Sequence, residues 1–434
     1  MLESSSPRSS ASATGLDVRP FRALTYRQQD PEHLARVSSP AYDLVTPAGR
    51  DRLAGTDPHN VVRLILPAAG PGPSATGDAA QRSAAVAAET LGRWQDEAVL
   101  VRDEQPALWL YELRPPAGPA TVGWLGAVAL PPVGSTAVLP HEDTYPVAVE
   151  GRRALLAATG TDLEPIVLAH DPEPEIAELT AGLRQGQPDM TVEDADGVEH
   201  RLWRVTDRPT LDRLTAALAR TEAVIADGHH RFAAARANAR TRTIPGSQRV
   251  LALVTPMGPG GLRVDPIHRV IPDLDLDTAV RAASADFRTT ELPTAGFGVV
   301  GAVRRWLDAP DETGFLVTDG ARLLRLTDPS QRVMAAVPSE APSAWRGLDV
   351  VLAHHGLLDL VWHRPDDPDS VLIAHSVEEG LRLAADRGGV ALLLRAPSPT
   401  DVAAVARAGA RMPRKSTLFV PKPRTGLVLR PLAD

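Results

Sequence analysis

Five consecutive residues combine a carboxylate, a glycine, two imidazoles and a guanidinium, namely Asp227, Gly228, His229, His230 and Arg231. An apolar run precedes them and a run of helix-forming composition follows, so the pattern predicts a strand, a tight turn and a helix. The amino end of a helix presents unpaired N–H groups and a positive dipole end, which favour an anion such as phosphate. Arg231 could bind the same anion bidentately. The pattern predicts a phosphate site, with Asp227 as an ordinary N-cap beside solvated neighbours as the alternative.

A second polar group, His141, Glu142 and Thr144, follows a strand-like run at 137–139, with Arg152 about ten residues further on. A histidine and a glutamate at a strand end could supply a general base or bind a metal-bound nucleotide. The alternative is an ordinary helix start, because acidic residues are common in first turns.

The adjacent pair His268 and Arg269 forms a third candidate. Successive side chains of a strand point to opposite faces, so only one of the two is expected in a site. Asp43 lies in a short polar segment near the amino end and has little meaning by itself.

Lysine is nearly absent from the chain, since Lys415 and Lys422 are the only two among 46 lysine and arginine residues. Arginine can replace lysine except where a compact, strongly hydrated ammonium is needed. Prolines bracket a short predicted strand between the two lysines, and on a straight strand residues seven apart point to opposite faces. We expect Lys415 to contact the phosphate site near Arg231 and Lys422 to face elsewhere. A surface hairpin is the alternative.

The elements that must position these residues follow from apolar periodicity and turn signals. Helices are predicted at 79–94, 155–159, 173–183, 232–239, 299–307, 377–385 and 400–409. Strands are predicted at 107–113, 123–130, 137–139, 165–168, 223–226, 315–317, 391–394 and 417–420. A Gly/Pro-rich loop is expected at 68–77, and a Ser/Ala-rich disordered tail at 1–17. The mixture predicts an α+β fold.

The composition of the chain argues against several classes of function. The chain has 434 residues, a formal net charge of −8 and no cysteine. Zero cysteine excludes disulfides, thiolate metal sites and cysteine nucleophiles, and the negative charge gives no basic footprint for nucleic acid. Neither a signal peptide nor an apolar membrane span is evident in the sequence. We expect a cytoplasmic protein that binds small molecules.

Five separated motifs together resemble the DUF1015 family of bacterial and archaeal proteins, and the resemblance covers about residues 18 to 430. The motifs are Pro40-Ala41-Tyr42-Asp43, Pro140-His141-Glu142-Asp143-Thr144, Ile225 to Phe232, Ile267-His268-Arg269-Val270 and Met412 to Lys422. That family has long lacked an assigned activity.

A more distant resemblance suggests chemistry. The Asp227 turn, the upstream Pro165-Ile166-Val167 and the segment with Glu142 and Arg152 are similar to the ParB/sulfiredoxin-like fold, and in particular to free serine kinases. The resemblance implies ATP or ADP with Mg²⁺, Glu142 as the base that activates a hydroxyl, and Asp227 as an assistant or a Mg²⁺ ligand.

The resemblance to free serine kinases also implies roles for individual residues of this chain. The implied catalytic residues are Glu142, Asp227 and His230. The implied phosphate or nucleotide ligands are Gly228, His229, Arg231, Arg152, His268, Arg269 and Lys415. Further motif residues are His141, Thr144 and Asp43.

Two segments depart from the family patterns, and both lie near the implied site. Gly151-Arg152 stands where Asp-Arg is common, and Asp162-Leu163-Glu164-Pro165-Ile166 stands where Asn-x-Ser-Pro-Ile is common. The stretch between Pro165 and Asp227 is also longer than in the small kinases, which implies an inserted helical segment.

The predicted organisation has four parts: a tail at 1–17, an N-terminal α+β region at 18–135, a ParB/sulfiredoxin-like core at 136–275 and a C-terminal α/β region at 276–434. The predicted function is nucleotide-dependent phosphotransfer to a small molecule such as serine. Three alternatives stay open: a phosphatase or nucleotide hydrolase, a nucleotide-gated regulatory protein, and a metal hydrolase that uses His141, Glu142, Asp227 and His229.

Overall fold

A computed structural model describes residues 15–67, 77–242, 244–258, 260–309, 314–365, 367 and 369–433. Most of the predicted tail (1–14) and most of the predicted loop at 68–77 lie outside the described residues. The chain divides into two compact units. The first contains the described residues up to Leu262 and those from Pro421 onward, and the second is Arg263–Val420.

The strands of the described residues are numbered along the chain. They are β1 (Val18–Arg19), β2 (Leu24–Tyr26), β3 (Leu100–Arg102), β4 (Leu108–Arg114), β5 (Thr121–Ala129), β6 (Val138–Leu139), β7 (Thr161–Asp162), β8 (Ile166–His170), β9 (Met190–Glu193), β10 (Glu199–Val205), β11 (Ala223–Asp227), β12 (Arg249–Pro256), β13 (Arg263–Asp265), β14 (His268–Ile271), β15 (Arg288–Glu291), β16 (Phe315–Thr318), β17 (Leu323–Thr327), β18 (Leu372–Ala374), β19 (Val390–Leu393), β20 (Leu418–Val420) and β21 (Arg430–Pro431).

The α-helices are α1 (Pro31–Val37), α2 (Pro47–Thr56), α3 (Val62–Ile65), α4 (Asp78–Asp96), α5 (Pro146–Thr159), α6 (Pro174–Leu183), α7 (Arg208–Leu218), α8 (His229–Thr241), α9 (Leu276–Ala283), α10 (Gly298–Asp308), α11 (Gln331–Ala336), α12 (Ser343–Arg346), α13 (Asp349–Leu352), α14 (Val377–Asp386) and α15 (Pro399–Arg407). Short 3₁₀ helices occupy Tyr42–Leu44 and Pro245–Gln248, and a π-helix occupies Ala353–Val361.

A mixed nine-stranded sheet organises the first unit. Its order is β6-β11-β8-β12-β5-β4-β10-β9, with β1 paired to β5. The pairs β6/β11 and β8/β12 are parallel, and the others are antiparallel. Leu108 and Leu110 of β4 belong to one apolar cluster, whereas Trp109 and Tyr111 belong to another. Because alternate residues of a strand face opposite sides, both faces of this sheet are covered.

Helices from separate parts of the chain cover the two faces. Leu34 of α1 and Trp94 of α4 join one cluster, while Leu214 of α7 and Phe232 of α8 join the other. Helix α5 packs against α4 and α8, so the helix that follows the His141-Glu142 segment lies beside the helix that follows Asp227.

The carboxyl-terminal segment is anchored to the first unit by buried arginines. The Arg430 guanidinium donates to Asp162 Oδ2 at 2.8 Å, and only 1% of Arg430 is exposed. Arg424 donates its backbone N–H to the hydroxyl of Tyr111 at 2.9 Å and its Nε–H to Ser38 Oγ at 2.6 Å. These bonds place Pro421 and Lys422 in the first unit.

The second unit has its own sheet and core. The antiparallel order is β15-β17-β16-β19-β14-β18, and apolar residues of α10 and α14, such as Trp306 and Val377, pack in its cluster. A separate two-stranded sheet joins β13 to β20.

The fold is therefore mixed α and β with a large mixed sheet, which confirms the predicted class at that level. The segment between Pro165 and Asp227 is not purely helical, however. Besides α6 and α7 it contains β9 and β10, and β10 pairs with β4 along its whole length.

Within the described residues, no helix combines the length and apolarity that crossing a bilayer demands.

Candidate functional site

A sharp turn joins β11 to α8 at Gly228. Gly228 has φ 92° and ψ 31°, a left-handed conformation that glycine adopts most readily. A Cβ at this position would lie 2.8 Å from Ile166 Cγ2, so close packing also requires glycine. The N-cap of α8 is Gly228 itself, and no side chain caps the helix there. The alternative in which Asp227 is the N-cap is therefore wrong.

The carboxylate of Asp227 accepts hydrogen bonds from two cations. Arg231 Nη2 donates to its Oδ2, and Lys422 Nζ lies 2.8 Å from its Oδ1. The same Nζ also bonds to Asp43 Oδ2. The expectation that Lys422 faces away from the Asp227 turn is thus wrong. The alternation argument fails because β20 ends at Val420, and the chain beyond it joins the other unit.

Charges in this cluster stabilise one another. Burial alone would raise the pKa of Asp227, but Arg231 and Lys422 outweigh burial and lower it. Burial alone would lower the pKa of Lys422, but Asp227 and Asp43 raise it above the ordinary value. At neutral pH the Asp227 carboxylate and the Lys422 ammonium are therefore both ionised.

A second group of polar residues surrounds the ring of Tyr42. The guanidinium carbon of Arg152 lies 3.8 Å from the ring centroid and that of Arg231 lies 5.6 Å from it, which are cation–π distances. Glu164 accepts from the Tyr42 backbone N–H and from the Thr425 hydroxyl, each at 3.0 Å. Arg231 also donates to the carbonyl of Pro165 at 2.5 Å.

A cleft adjoins this group. It is a small cleft, and Arg152, Glu164 and Arg231 are among its polar lining residues. Leu155, Leu156 and Ala234 contribute an apolar side. The cleft therefore brings two guanidinium groups and a carboxylate beside a partly apolar wall.

The side chain of Glu142 lies between two imidazoles. His229 Nε2 accepts from the backbone N–H of His141 at 3.3 Å, so a neutral His229 carries its proton on Nδ1. That Nδ1 is 3.7 Å from Glu142 Oε2, and His141 Nε2 is 3.9 Å from Oε1. Both histidines are buried, whereas 35% of the Glu142 side chain is exposed. The two imidazoles thus lie beside the Glu142 carboxylate, and the exposed part of the side chain is accessible to a small molecule.

His230 holds the segment that leads into α5. Its Nε2 accepts from the backbone N–H of Tyr145 at 3.1 Å. The Tyr145 ring stacks on it at 5.9 Å between centroids and 14° between planes. Thr144, beside Tyr145, is exposed. The catalytic role suggested for His230 stays a prediction, and its Nε2 is already engaged by the backbone.

Three predicted ligands belong to the second unit. His268 and Arg269 are both buried in β14, and the expectation that only one of them enters a site stays a prediction. Arg269 donates to His354 Nε2 and to the carbonyl of Arg414, both at 3.1 Å. Burial, with a smaller contribution from Arg269, lowers the pKa of His268 to about 4, so His268 is neutral near pH 7. Lys415 is exposed, with φ 52°, and its role stays a prediction.

Sequence reasoning missed Tyr42, Glu164 and Lys422 as members of the site. Tyr42 and Glu164 lay inside segments that were noticed for other residues, and Lys422 was noticed for its rarity. The rarity of lysine was a usable signal for Lys422. Only tertiary structure brings Tyr42 and Glu164 beside Arg231, so neither had a local signal.

The Mg²⁺ that the resemblance implies can be tested against these residues. Each carboxylate oxygen of Asp227 already bonds to a cation, and a divalent ion there would meet two positive charges. Across the described ranges, no group of three or more His, Asp or Glu side chains is arranged to hold a metal ion. Asp227 does not fit as a Mg²⁺ ligand.

Comparison with known proteins gives a family and distant structural likenesses. The model of a protein family of unknown function, DUF1015, matches residues 18–351. No curated protein matches the chain significantly.

Three solved structures illustrate the likenesses. A single-residue variant of a free serine kinase in complex with AMP has 15% identity and a TM-score of 0.32, and the alignment covers 67% of this chain and 89% of that one. SbnI with C-terminal truncation from Staphylococcus aureus has 12% identity and a TM-score of 0.37, and the alignment covers 71% of this chain and 88% of that one. A conserved hypothetical protein from Pyrococcus furiosus has 14% identity and a TM-score of 0.30, and the alignment covers 65% of this chain and 87% of that one. Likenesses this distant do not extend to a ligand or an activity.

Proposed function

Because this chain belongs to the DUF1015 family, whose description assigns no activity, we propose its function from the geometry of its own residues. The protein is a nucleotide-dependent phosphotransferase that acts on the hydroxyl of a small molecule, with serine or a related hydroxy or amino acid as the candidate acceptor and ATP or ADP as the donor. The proposal includes a ParB/sulfiredoxin-like arrangement for the core at 136–275.

The observation that carries the proposal is that the first turn of α8 contacts both halves of a transfer site. Arg231 and Asp227 form the charge-paired side, and His229 meets Glu142 on the other. The uncapped N–H groups at the start of α8 favour a phosphate. Glu142 is exposed enough to reach a hydroxyl.

The reaction then follows from these positions. Glu142 accepts the proton of the acceptor hydroxyl as the oxygen forms its bond to the terminal phosphorus of the nucleotide. The bond from that phosphorus to the bridging oxygen breaks, and the electron pair stays on the shortened nucleotide. Positioning and charge stabilisation supply most of the catalysis in such transfers, so the N–H groups of α8 and the Arg231 guanidinium matter as much as the base.

Replacing the base tests the proposal. Glu142→Gln should lower the transfer rate by about 10²- to 10⁴-fold, the usual contribution of a general base. It should leave nucleotide affinity nearly unchanged, because Glu142 contacts the acceptor. Binding is measured by calorimetry with ADP and ATP, and transfer by phosphorus NMR with L-serine. Glu150→Gln is the matched control, since Glu150 is exposed on α5 and pairs only with Arg153 among the contacts described for it.

Other results would redirect the assignment. Nucleotide breakdown that does not depend on an acceptor would identify a hydrolase, and tight binding without turnover would identify a regulatory protein. A full transfer rate in the Glu142→Gln variant would remove Glu142 as the base.

A further inference from the structure

One ammonium joins two carboxylates from distant parts of the chain. Lys422 Nζ bonds to Asp43 Oδ2 and to Asp227 Oδ1, an arrangement referred to here as the lysine bridge. Asp43 lies in the 3₁₀ helix Tyr42–Leu44, Asp227 ends β11, and Lys422 follows Pro421 in the carboxyl-terminal segment. All three belong to the first unit, and only 9% of the Lys422 side chain is exposed.

A pair of carboxylates within reach of one small cation is also how a protein holds a divalent metal. Here the ammonium occupies that position. With Arg231 on the other oxygen of Asp227, two positive charges balance the two carboxylates.

We infer that Lys422 takes the place of a divalent metal at this turn: it holds Asp43 and Asp227 as the resident cation, and nucleotide phosphates bind the start of α8 without a metal ion held by Asp227. The phosphate part of the inference rests on the proposed function, whereas the metal-binding part does not.

The choice of lysine supports the inference. Arginine supplies all but two of the 46 lysine and arginine residues, and Arg424 stands only two positions away. An ammonium is compact and has three donors on one atom, whereas a guanidinium is planar and spreads its donors over a fork. A single nitrogen can therefore bond to two carboxylates from different directions, as a metal ion does.

The inference makes a specific prediction about metal affinity. Removing the ammonium in Lys422→Met leaves the two carboxylates facing an empty position. The variant should then gain a site for Mn²⁺ in the range of about 0.1–1 mM, in which weak carboxylate sites bind divalent cations. The wild-type protein should show no saturable binding in that range. Arg208→Met is the matched control, because it removes one positive charge from a side chain that is 84% exposed in the same unit.

The metal titration is followed by electron paramagnetic resonance of free Mn²⁺, without nucleotide. Saturable binding by Lys422→Met alone supports the inference, and binding by neither variant nor wild type overturns it. Wild-type binding that Asp227→Asn abolishes also overturns it, and this comparison stands even if Lys422→Met fails to fold.

The nucleotide part is tested by calorimetry with ADP on the full chain. Wild-type affinity for ADP should persist in EDTA, and Lys422→Met should weaken it by about tenfold to a hundredfold, because the carboxylates of Asp43 and Asp227 would lose the ammonium that neutralises them and would repel the phosphates. This part is overturned if EDTA lowers the wild-type affinity for ADP by more than about tenfold. It is also overturned if Lys415→Met weakens ADP binding and Lys422→Met does not. Absence of ADP binding to the wild type would instead contradict the proposed function, and the metal titration would still decide the lysine bridge.

Discussion

Asp227 is the residue on which most of the site's charges converge. Its carboxylate bonds to Arg231 and Lys422, and Arg231 in turn lies against Tyr42 and bonds to Pro165. A carboxylate in this position fixes two cations at once. Its loss would leave both cations buried and only partly compensated, which costs more than an exposed ion pair.

Asp227→Asn should therefore reduce the free energy of unfolding by about 3–5 kcal/mol at pH 7. Burial would raise the pKa of Asp227, but Arg231 and Lys422 outweigh burial and lower it. The stability due to this carboxylate is thus fully present above the unfolded pKa of about 3.9 and is lost as the pH falls through the lower folded value.

Urea unfolding of both proteins across a pH series measures this difference. The gap between wild type and Asp227→Asn should stay constant near neutrality and shrink below about pH 4. Asp212→Asn, at an exposed residue of α7 in the same unit, should show little loss at any pH. A gap that grew on acidification would contradict the charge assignment.

At the scale of elements, the turn between β11 and α8 does the positioning. It places Asp227 in contact with Lys422 of the carboxyl-terminal segment, and His229 of α8 beside Glu142. Both consequences depend on a reversal of the chain within one residue, Gly228.

Gly228→Ala should disrupt this turn more than left-handed strain alone explains. Gly118 has nearly the same φ, 93°, but nothing lies within 4 Å of an added Cβ there. Both alanine variants carry the left-handed cost of about 1–2 kcal/mol, and only Gly228→Ala adds an overlap with Ile166. Thermal unfolding and ADP calorimetry should show a larger stability loss, with weakened binding, for Gly228→Ala. Equal effects of the two variants would show that packing against Ile166 is unimportant.

The elements themselves were largely predictable. Helices α4, α10 and α14 and strands β5 and β16 lie within a few residues of their predicted positions, because each has a clear apolar period or a clean turn signal. Strands β9 and β10 were missed, since pairing of β10 with the distant β4 leaves no local trace in the sequence.

The site was predictable only in part, for a related reason. The residues of the turn and Glu142 lie next to strand ends, where polar residues after an apolar run are visible in the sequence. Lys422 was assigned to the wrong face because alternation was extended beyond Pro421, where the strand has already ended. Periodicity describes residues within an element and fails once the chain leaves it.

At the scale of the whole molecule, the chain leaves the first unit at Leu262 and returns to it at Pro421. The returning segment brings more than Lys422. Leu427 and Leu429 are buried in the core cluster of the first unit, Leu429 exchanges backbone hydrogen bonds with Leu24, and Arg430 pairs with buried Asp162.

Truncation after Val420 should accordingly destabilise the first unit and spare the second. Asp162 would lose its cation and the core would lose four buried apolar residues, Leu427, Val428, Leu429 and Leu432, while the cluster around Trp306 in the second unit would lose none of its members. Hydrogen exchange should show reduced protection in β8 and β12 and unchanged protection in β16 and β19. Full-length Arg430→Met keeps the apolar residues and Lys422, so it should show a smaller loss confined to the same unit. Equal protection of β8 in truncated and full-length chains would show that the first unit is complete without its carboxyl-terminal segment, and the placement of Lys422 beside Asp227 would then have to depend on the lysine bridge alone.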